Sequence, residues 1–309
     1  MQNECRLSII TVNYNGLDDT CELLETIPLI SGIEVIVVDN GSHHDEAAII
    51  HSRYPFVTAI RSEKNLGFAG GNNLGIRSAH GRDLFFVNND TLFCKEKNSD
   101  KKEEVVKAID ELINRLDSAD DIGMVCPKIR FSWDDSPIQF TGYTPLSRIT
   151  LRNASIGFGE PDHGQYDTPH PTPYAHGAAM LAKREAVERA GLMPECYFLY
   201  YEELDWSLMF ARSGYSIWYD PNFTIFHKES RTTGQGSPLR CYYISRNRLL
   251  FTRRNVGYPL CLLTYVYLLL VVVPRDMLMH LIHGRFAHAI STLRGVLHFL
   301  RGKEGKWPE

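Results

Sequence analysis

Four short runs of branched apolar residues, separated by segments with helical patterns, constrain the fold more than any other feature of this 309-residue sequence. Parallel strands that are covered on both faces have near-continuous apolar sequences of this kind. Their alternation with helices is typical of an α/β fold with a doubly wound, mostly parallel sheet and helices on both faces. The predicted strands are residues 7–12, 33–38, 57–60 and 84–87.

Capping residues predict where the helices between these strands begin. Asp18 or Asp19 is placed to cap the first helix, and Ser42 with Asp45 forms a capping-box pattern that opens the second. Glycines that follow periodic segments predict where helices end. The predicted helices are residues 47–54, 70–79, 184–190 and 202–212, with a further helix that ends at Leu116.

Polar clusters follow three of the four predicted strands. They are residues 13–16 (Asn-Tyr-Asn-Gly), 39–42 (Asp-Asn-Gly-Ser) and 88–90 (Asn-Asn-Asp). Each cluster alone is typical of a tight turn. The carboxyl ends of parallel strands meet at one edge of a sheet, where α/β proteins bind their ligands. Three clusters at that edge therefore favour a binding site over three unrelated turns.

Two residues are candidate metal ligands. Asp90 directly follows a buried strand, where a lone carboxylate is costly unless it caps, pairs or binds a cation. Carboxylate oxygens are suitable ligands for Mg²⁺ or Mn²⁺, and an ion bound by one or two carboxylates keeps coordination positions free for phosphates. His227 follows a later apolar stretch and is the second candidate. The alternatives are a turn aspartate and a structural histidine.

Three carboxylates open the helix predicted over residues 202–212, namely Glu202, Glu203 and Asp205. The helix macrodipole favours acids in a first turn, which is one explanation for them. The flanking aromatic residues indicate partial burial as well. Burial and crowded like charges raise the pKa of a carboxyl group, as a general base requires.

Composition argues against several classes of protein. The net charge of −4 gives no basic excess, so nucleic acid is not an expected partner. The seven cysteines form no CxxC pair, so we expect neither a zinc site nor a disulfide framework. The first six residues lack the basic and apolar segments of a signal peptide, which favours folding in a reducing cytosol.

Taken together, an ordered set of motifs over residues 7–254 resembles the family-two glycosyltransferases, an inverting family with the glycosyltransferase-A fold, and within it a bacterial rhamnosyltransferase-like branch. The order is more specific than any single motif. The matching segments are residues 8–16 (SIITVNYNG), 37–42 (VVDNGS), 65–73 (NLGFAGGNN), 88–90 (NND), 177–181 (GAAML), 201–205 (YEELD) and 242–248 (YYISRNR).

The resemblance implies a role for each matching position. Glu203 would be the general base and Asp205 a supporting acid, while Asp90 and His227 would hold Mg²⁺ or Mn²⁺. The donor would be a nucleotide-sugar, with dTDP-rhamnose the first candidate, and the acceptor a glycan or lipid-linked saccharide in cell-surface polysaccharide synthesis. Nucleotide-sugar binding would fall to Thr11, Asn13, Asn15, Asp39, Ser42, Asn65, Gly67, Gly70, Gly71, Asn72 and Asn89.

A different class of function stays open beside the enzyme. Asn88 stands where the family has the first acid of its Asp-x-Asp motif, and Glu203 where it usually has aspartate. A catalytically weak or inactive nucleotide-sugar-binding scaffold would tolerate both changes. Donor hydrolysis that depends on Glu203 separates the two, since a pure binding protein shows none.

The last 55 residues form a predicted tail, residues 255–309, beyond a catalytic domain over residues 1–254. Residues 256–273 are apolar and at the lower limit for crossing a bilayer. The segment 278–300 has the pattern of a basic amphipathic helix at an anionic membrane surface. We therefore predict peripheral association with the cytoplasmic face of the membrane. The alternative is a pair of core or dimer-forming helices, which leaves a homodimer possible.

Overall fold

The computed structural model describes residues 5–96, 98–133, 135–229 and 237–307. Within these residues ten strands form one sheet. The strands are β1 (Leu7–Asn13), β2 (Ile33–Asp39), β3 (Val57–Arg61), β4 (Asp83–Val87), β5 (Thr91–Leu92), β6 (Ile122–Phe131), β7 (Ile138–Phe140), β8 (His170–Pro171), β9 (Ala179–Lys183) and β10 (Ser216–His227).

The long strands of the sheet are mostly parallel, as the sequence predicts. The order is β3-β2-β1-β4-β9-β6-β10-β5, with β7 beside β6 and β8 beside β10. β1, β2, β3 and β4 are mutually parallel, and β10 is parallel to β6. β9 lies antiparallel between β4 and β6. All four predicted strands form, within one residue at each end, because their side chains are buried in one core beneath the helices.

Ten helices cover or extend this sheet in the described part of the chain. They are α1 (Leu17–Thr26), α2 (Glu46–Arg53), α3 (Gly67–Ser78), α4 (Ser99–Asp117), α5 (Arg184–Ala190), α6 (Glu202–Arg212), α7 (Pro238–Asn255), α8 (Leu260–Tyr267), α9 (Val273–Ile282) and α10 (Phe286–Leu300), with a 3-10 turn at Glu195–Tyr197 and a π-helical segment, Leu268–Val272, that joins α8 to α9.

The caps of two helices differ from the prediction, and α3 begins at Gly67, three residues before its predicted start. α1 begins at Leu17 after Gly16, so neither Asp18 nor Asp19 caps it. The cap of α2 is Asp45, whose side chain accepts a hydrogen bond from the amide of Ala48. Ser42 does not cap α2, because its hydroxyl accepts the amide N–H of residue 15 and donates to Glu46 instead.

The carboxy-terminal helices pack on α7 and leave an apolar face outside. Gly295 of α10 crosses α7 so closely that a β-carbon there would lie 2.5 Å from the carbonyl oxygen of Tyr242. The continuous helical segment Leu260–Ile282 has a mean hydropathy of 1.7, is long enough to cross a membrane and is mostly exposed. Its outer face and that of α10 expose Leu262, Leu263, Val266, Leu270, Val271, Leu278, Met279, Ile282, Phe286, Ile290 and Leu300, among others.

Candidate functional site

Strand pairing brings the two predicted metal ligands together. β5 follows β4 after the turn that contains Asp90, and it pairs antiparallel with the end of β10, so that His227 lies opposite Thr91. The Nε2 atom of His227 then lies 3.1 Å from Oδ1 of Asp90, although 137 positions separate the two residues. Both side chains are largely buried.

The hydrogen bond of Gln139 sets the state of this histidine. Nδ1 of His227 lies 2.8 Å from Oε1 of Gln139, and an amide oxygen can only accept, so Nδ1 carries a proton. In the neutral ring Nε2 then has only a lone pair, which faces a carboxylate oxygen. A proton or a metal cation must lie between such atoms, because two lone pairs in contact repel each other.

The pair therefore fits a divalent cation as a donor set. When no metal is bound, a protonated His227 donates to Asp90 through Nε2. Burial raises the pKa of Asp90, but this hydrogen bond and charge outweigh it, so the pKa lies below its ordinary value and the carboxylate is ionised. Within the described residues no group of three or more His, Cys, Asp or Glu residues is placed to hold a metal. A two-ligand protein site leaves coordination positions for phosphates, as is usual for Mg²⁺.

The predicted base, Glu203, is the second residue of α6 and lies close to residues that contact the metal-ligand pair. A β-carbon at Gly177 would lie 3.8 Å from its Cγ atom. The neighbouring His176 ring lies 6.4 Å, centroid to centroid, from the ring of His227. Gly177 and His176 thus connect Glu203 to the metal-ligand pair.

The carboxylate of Glu203 is prepared to accept a proton. Among the described residues it forms no ion pair and no hydrogen bond to another side chain. Burial raises its pKa, with a smaller opposing effect from its own backbone N–H. A partly buried carboxylate that lacks a partner and has a raised pKa is suited to general-base catalysis.

A strained loop positions this base. Phe198, Tyr200 and Tyr201 have φ angles of 68°, 69° and 80°, in the left-handed region that side chains disfavour. Asn247 of α7 donates from its Nδ2 atom to the carbonyl oxygens of residues 197, 199 and 200, at 3.1, 2.7 and 2.9 Å. Arg246 adds a bond of 2.6 Å to the carbonyl oxygen of residue 197. These bonds hold the loop in its strained form.

Asp205, the predicted supporting acid, has a different environment. It is fully buried, and its Oδ2 atom accepts hydrogen bonds from the Tyr197 hydroxyl at 2.9 Å and from Nε of Arg254 at 2.6 Å. Residues i and i+2 of a helix face different directions, so it does not share the face of Glu203. Its contacts tie α6 to α7, which is an indirect way to support the base.

The predicted nucleotide-binding residues of the first two loops are joined by hydrogen bonds. Asn13 donates to Glu46 at 2.6 Å and accepts from Thr20, while Glu46 also accepts from Ser42. Asn15 closes the network, since its side-chain oxygen accepts the amide N–H of residue 43. The cluster fixes the two loops at the carboxyl ends of β1 and β2.

Asp39 lies beneath these loops and has no exposed surface. Its carboxylate accepts from the amides of Ser42 at 3.0 Å and Ala47 at 3.4 Å, and it is fully buried. Thr11 is also fully buried, and its hydroxyl has no hydrogen-bond partner among the described residues. Both residues therefore lie at the predicted edge of the sheet, below its accessible surface.

Other predicted binding residues also make internal contacts. Asn65 accepts the amide N–H of Gly67 at 2.8 Å, and Asn72 donates to the carbonyl oxygen of Phe68. Asn89 is partly exposed and donates to the Thr20 hydroxyl at 3.1 Å, which anchors the loop after β1.

In the structure, the glycines of α3 are explained by close packing within the protein and not by close approach to a nucleotide. A β-carbon at Gly71 would lie 2.7 Å from the Val12 side chain, so this glycine lets α3 pack on β1. Gly67 has a φ of +78°, and a β-carbon there would lie 2.3 Å from the carbonyl oxygen of Phe198. Gly70 is crowded by Leu66 of its own turn.

Three residues of the site escaped the sequence analysis as individual functional positions: Gln139, Asn247 and His176. His176 accepts the amide N–H of Ala178 on Nδ1, and burial lowers its pKa to about 3, so it is a neutral ring with a proton on Nε2. Its position just before the 177–181 motif is the signal that pointed to it. Gln139 lies in the three-residue strand β7, and no sequence pattern marks it.

The sequence profile of glycosyl transferase family 2 matches residues 8–190, from β1 to the end of α5. The chain belongs to glycosyl transferase family 2. It is therefore a glycosyltransferase, and Asp90 lies within the matched region while Glu203 and His227 follow it. The low-salt glycan biosynthesis hexosyltransferase Agl10 of Haloferax volcanii is 24% identical over 302 residues, which cover 97% of this chain and 92% of Agl10. An uncharacterized glycosyltransferase of Haemophilus influenzae is 39% identical over 94 residues, 29% of this chain and 31% of that protein.

Solved glycosyltransferases share the fold. GalNAc-T7, solved with UDP, GalNAc and Mn²⁺, superposes with a TM-score of 0.59 at 14% identity, over 82% of this chain and 51% of GalNAc-T7. The mannosyltransferase PcManGT of Pyrobaculum calidifontis, solved with GDP-Man and Mn²⁺, gives 0.56 at 14% identity, over 97% of this chain and 88% of PcManGT. The predicted glycosyltransferase-A fold of this family 2 member is confirmed.

Proposed function

We propose that this glycosyltransferase moves one hexosyl group from a nucleotide-sugar to a hydroxyl group of a glycan or lipid-linked saccharide, with inversion at the anomeric carbon. The observation that carries the proposal is that His176 and Gly177 link the Asp90–His227 pair to Glu203, whose carboxylate forms no side-chain hydrogen bond or ion pair among the described residues. Together they supply the two parts that the reaction needs, a site for the leaving diphosphate and a base for the acceptor.

Asp90 and His227 are the residues that would hold a divalent ion, Mn²⁺ or Mg²⁺. When bound, such an ion neutralises charge on the diphosphate leaving group. Asp90 contributes an ionised carboxylate, and Gln139 keeps a lone pair on Nε2 of His227 that the ion would accept. Mn²⁺ is our first choice, because imidazole is a softer ligand than water or carboxylate and both GalNAc-T7 and PcManGT were solved with Mn²⁺.

Glu203 accepts the proton of the acceptor hydroxyl as that oxygen forms its bond to the anomeric carbon. The bond to the diphosphate oxygen breaks, and the diphosphate departs with the electron pair. Since the base and the leaving group lie on opposite faces of the sugar in this scheme, a single displacement inverts the anomeric centre. Asp205 acts through α6 and Arg254, as a positioning residue.

The donor that we propose first is dTDP-rhamnose, on the resemblance of the motifs to the rhamnosyltransferase-like branch. The hexosyl class is supported by the full-length likeness to Agl10. The acceptor would belong to cell-surface polysaccharide synthesis. We place the enzyme at the cytoplasmic face of the membrane, held by the exposed apolar face of Leu260–Ile282 and α10.

Thermal stabilisation tests the donor site. UDP-, dTDP- and GDP-sugars are each added with Mn²⁺, Mg²⁺ or chelator, and a ligand at a hundredfold excess over Kd stabilises the native state by about 2.7 kcal/mol. We expect a metal-dependent shift with one donor that Asp90→Ala abolishes. No shift with any donor in folded protein would contradict the proposal.

Hydrolysis of the stabilising donor tests the base. Glu203→Gln is expected to lower the rate by about 10²–10⁴-fold, the usual contribution of a general base, with donor binding retained. Glu188→Gln is the control, because that carboxyl is exposed on α5 and does not contribute to the pKa of Glu203. Donor binding without any hydrolysis, in wild type and both variants, would favour the scaffold alternative.

A further inference from the structure

A cavity of about 360 Å³ lies between α7, the π-helical segment, α9 and α10, and neither Asp90 nor His227 lines it. Its volume falls within the usual range for small-molecule sites, about 300–1,000 Å³. Arg240 and Arg248 of α7 line it together with the apolar residues Leu268, Val272 and Val273. The lining therefore combines two cationic side chains with apolar ones.

Arg248 has donors to spare. Its side chain is partly buried, and its Nε atom donates to the Tyr201 hydroxyl at 2.9 Å. Its two terminal nitrogens have no hydrogen-bond partner in the described part of the chain. Neither Arg248 nor Arg240 forms an ion pair with a described residue. Arg248 is partly buried and feels the charge of Asp276, but it forms no ion pair with a described residue, so its terminal nitrogens could donate to an anion in the cavity.

One acid lines the same cavity. Asp276 of α9 faces it, and its carboxylate is paired with Arg275, whose nitrogens lie 2.5 and 3.0 Å from Oδ1. Arg275 offsets part of this negative charge, and the rest attracts Arg248. The lining thus keeps a net positive charge from the two arginines of α7.

Arg240 and Arg248 both contact the loop that leads to the base. Tyr201, the hydrogen-bond partner of Arg248, is the cap of α6 and stands two residues before Glu203. The Arg240 guanidinium lies 5.9 Å from the Tyr200 ring. The apolar wall belongs to the segment whose outer face exposes Leu263 and Leu270. A bound molecule with an anionic head and an aliphatic chain would extend from the base to the apolar surface.

We propose that this cavity binds the phosphate or diphosphate of a lipid-linked acceptor, whose chain lies against Leu268 and Val272. The two arginines hold the anionic head, so that the first sugar of the acceptor reaches Glu203. This proposal rests on the proposed transferase function, and it specifies the acceptor as a lipid phosphate rather than a free glycan.

Farnesyl diphosphate is the probe, titrated calorimetrically into the full-length protein in chelator, so that a metal at Asp90 does not hold the diphosphate. We expect binding that weakens at least tenfold in Arg248→Gln and in Arg240→Gln. The latter tests the site even if Arg248→Gln disturbs the loop, because Arg240 is exposed. Arg253→Gln is the matched control on the same helix, since Arg253 pairs with Glu304 outside the cavity.

Two further ligands identify the source of the anion. Inorganic pyrophosphate should bind at least tenfold more weakly than farnesyl diphosphate, and soluble dihexanoyl phosphatidylglycerol should compete poorly. If pyrophosphate binds as tightly as farnesyl diphosphate, the cavity does not recognise the lipid chain. If the phospholipid competes equally well, the cavity is a general headgroup site and not an acceptor site. Unchanged affinity for farnesyl diphosphate in both arginine variants would show that the cavity does not bind it. Donor stabilisation in the same preparation, without farnesyl diphosphate binding, would overturn this proposal alone.

Discussion

The side-chain amide of Asn247 donates to the carbonyl oxygen of Leu199 at 2.7 Å, from a helix 48 positions further along the chain. The same nitrogen lies within hydrogen-bonding distance of two more carbonyl oxygens of that loop. The loop has three residues with positive φ and ends at α6, which carries Glu203. One buried side chain therefore holds the backbone that positions the proposed base, and the motif at residues 242–248 acquires a physical explanation.

Asn247→Asp should destabilise the protein and lower transfer. The substitution keeps the shape but replaces a donor with a carboxylate oxygen that faces carbonyl oxygens. Leaving a buried polar group unsatisfied costs about 1–3 kcal/mol, and more for a charged group. We expect a lower Tm and a fall of at least tenfold in kcat, measured by thermal unfolding and by donor hydrolysis. The exposed Asn114→Asp is the control. Wild-type kcat in Asn247→Asp would show that the loop does not depend on this contact.

Glu202 predicts an unusual pH dependence of stability. Burial and the neighbouring charge of Glu203 raise its pKa well above its ordinary value, about 4.3. A raised folded-state pKa gives stability that is complete below the unfolded pKa and is lost as the pH rises through the folded pKa. Glu202→Gln removes this loss, so its Tm should fall less between pH 5 and pH 8 than that of the wild type.

The exposed Glu188→Gln should leave the pH dependence of the wild type unchanged. The sign of the effect is the informative part, since most buried acids with charged partners lose stability in acid instead. A Tm difference between Glu202→Gln and wild type that is the same at pH 5 and pH 8 would mean that Glu202 is ionised throughout.

Gln139 should control metal affinity without touching the metal. Its Oε1 atom accepts the Nδ1 proton of His227 and so keeps the lone pair on Nε2. Loss of such a partner typically costs 10–100-fold in metal affinity. We expect Gln139→Leu to raise the Mn²⁺ concentration needed for donor-induced stabilisation by that factor. Gln165→Leu is the control, because Gln165 is exposed and its contacts lie outside the site. An unchanged Mn²⁺ dependence in Gln139→Leu would argue against His227 as a ligand.

Local patterns predicted the framework of the fold well. α5 and α6 have the predicted limits, residues 184–190 and 202–212, because glycines with positive φ follow them at Gly191 and Gly214. The β/α alternation also follows from burial patterns that a single segment contains. Helix caps were less predictable, since Ser42 has an alternative partner in another loop.

The site was predictable only in part, because its contacts are long-range. Asp90 and His227 were each named from their position after an apolar run, but their pairing depends on β5 and β10. Gln139 contacts His227 across 88 positions from the strand β7, which is too short for periodicity to mark it. The glycines of α3 belong to one of the matching motifs, and their neighbours in the structure are Val12, Leu66 and Phe198.

The exposed apolar face of the carboxy-terminal helices predicts binding to anionic membranes. Leu270 is 71% exposed and Leu263 is 54% exposed. Burying one leucine in an apolar phase contributes roughly 1.5–3 kcal/mol. The double variant Leu263→Glu/Leu270→Glu should therefore lose at least a hundredfold in affinity for phosphatidylglycerol-containing vesicles, measured by co-sedimentation, while donor stabilisation is retained.

Leu29→Glu is the control, because Leu29 is 64% exposed but precedes β2, far along the chain from the tail. Light scattering after gel filtration, without vesicles, separates the membrane from the homodimer. If the wild type is dimeric and the double variant is monomeric, with equal sedimentation of both on vesicles, the face joins two copies of the chain. If the wild type is monomeric and binds vesicles through these leucines, the apolar face contacts the lipid surface, where a lipid-linked acceptor would be found.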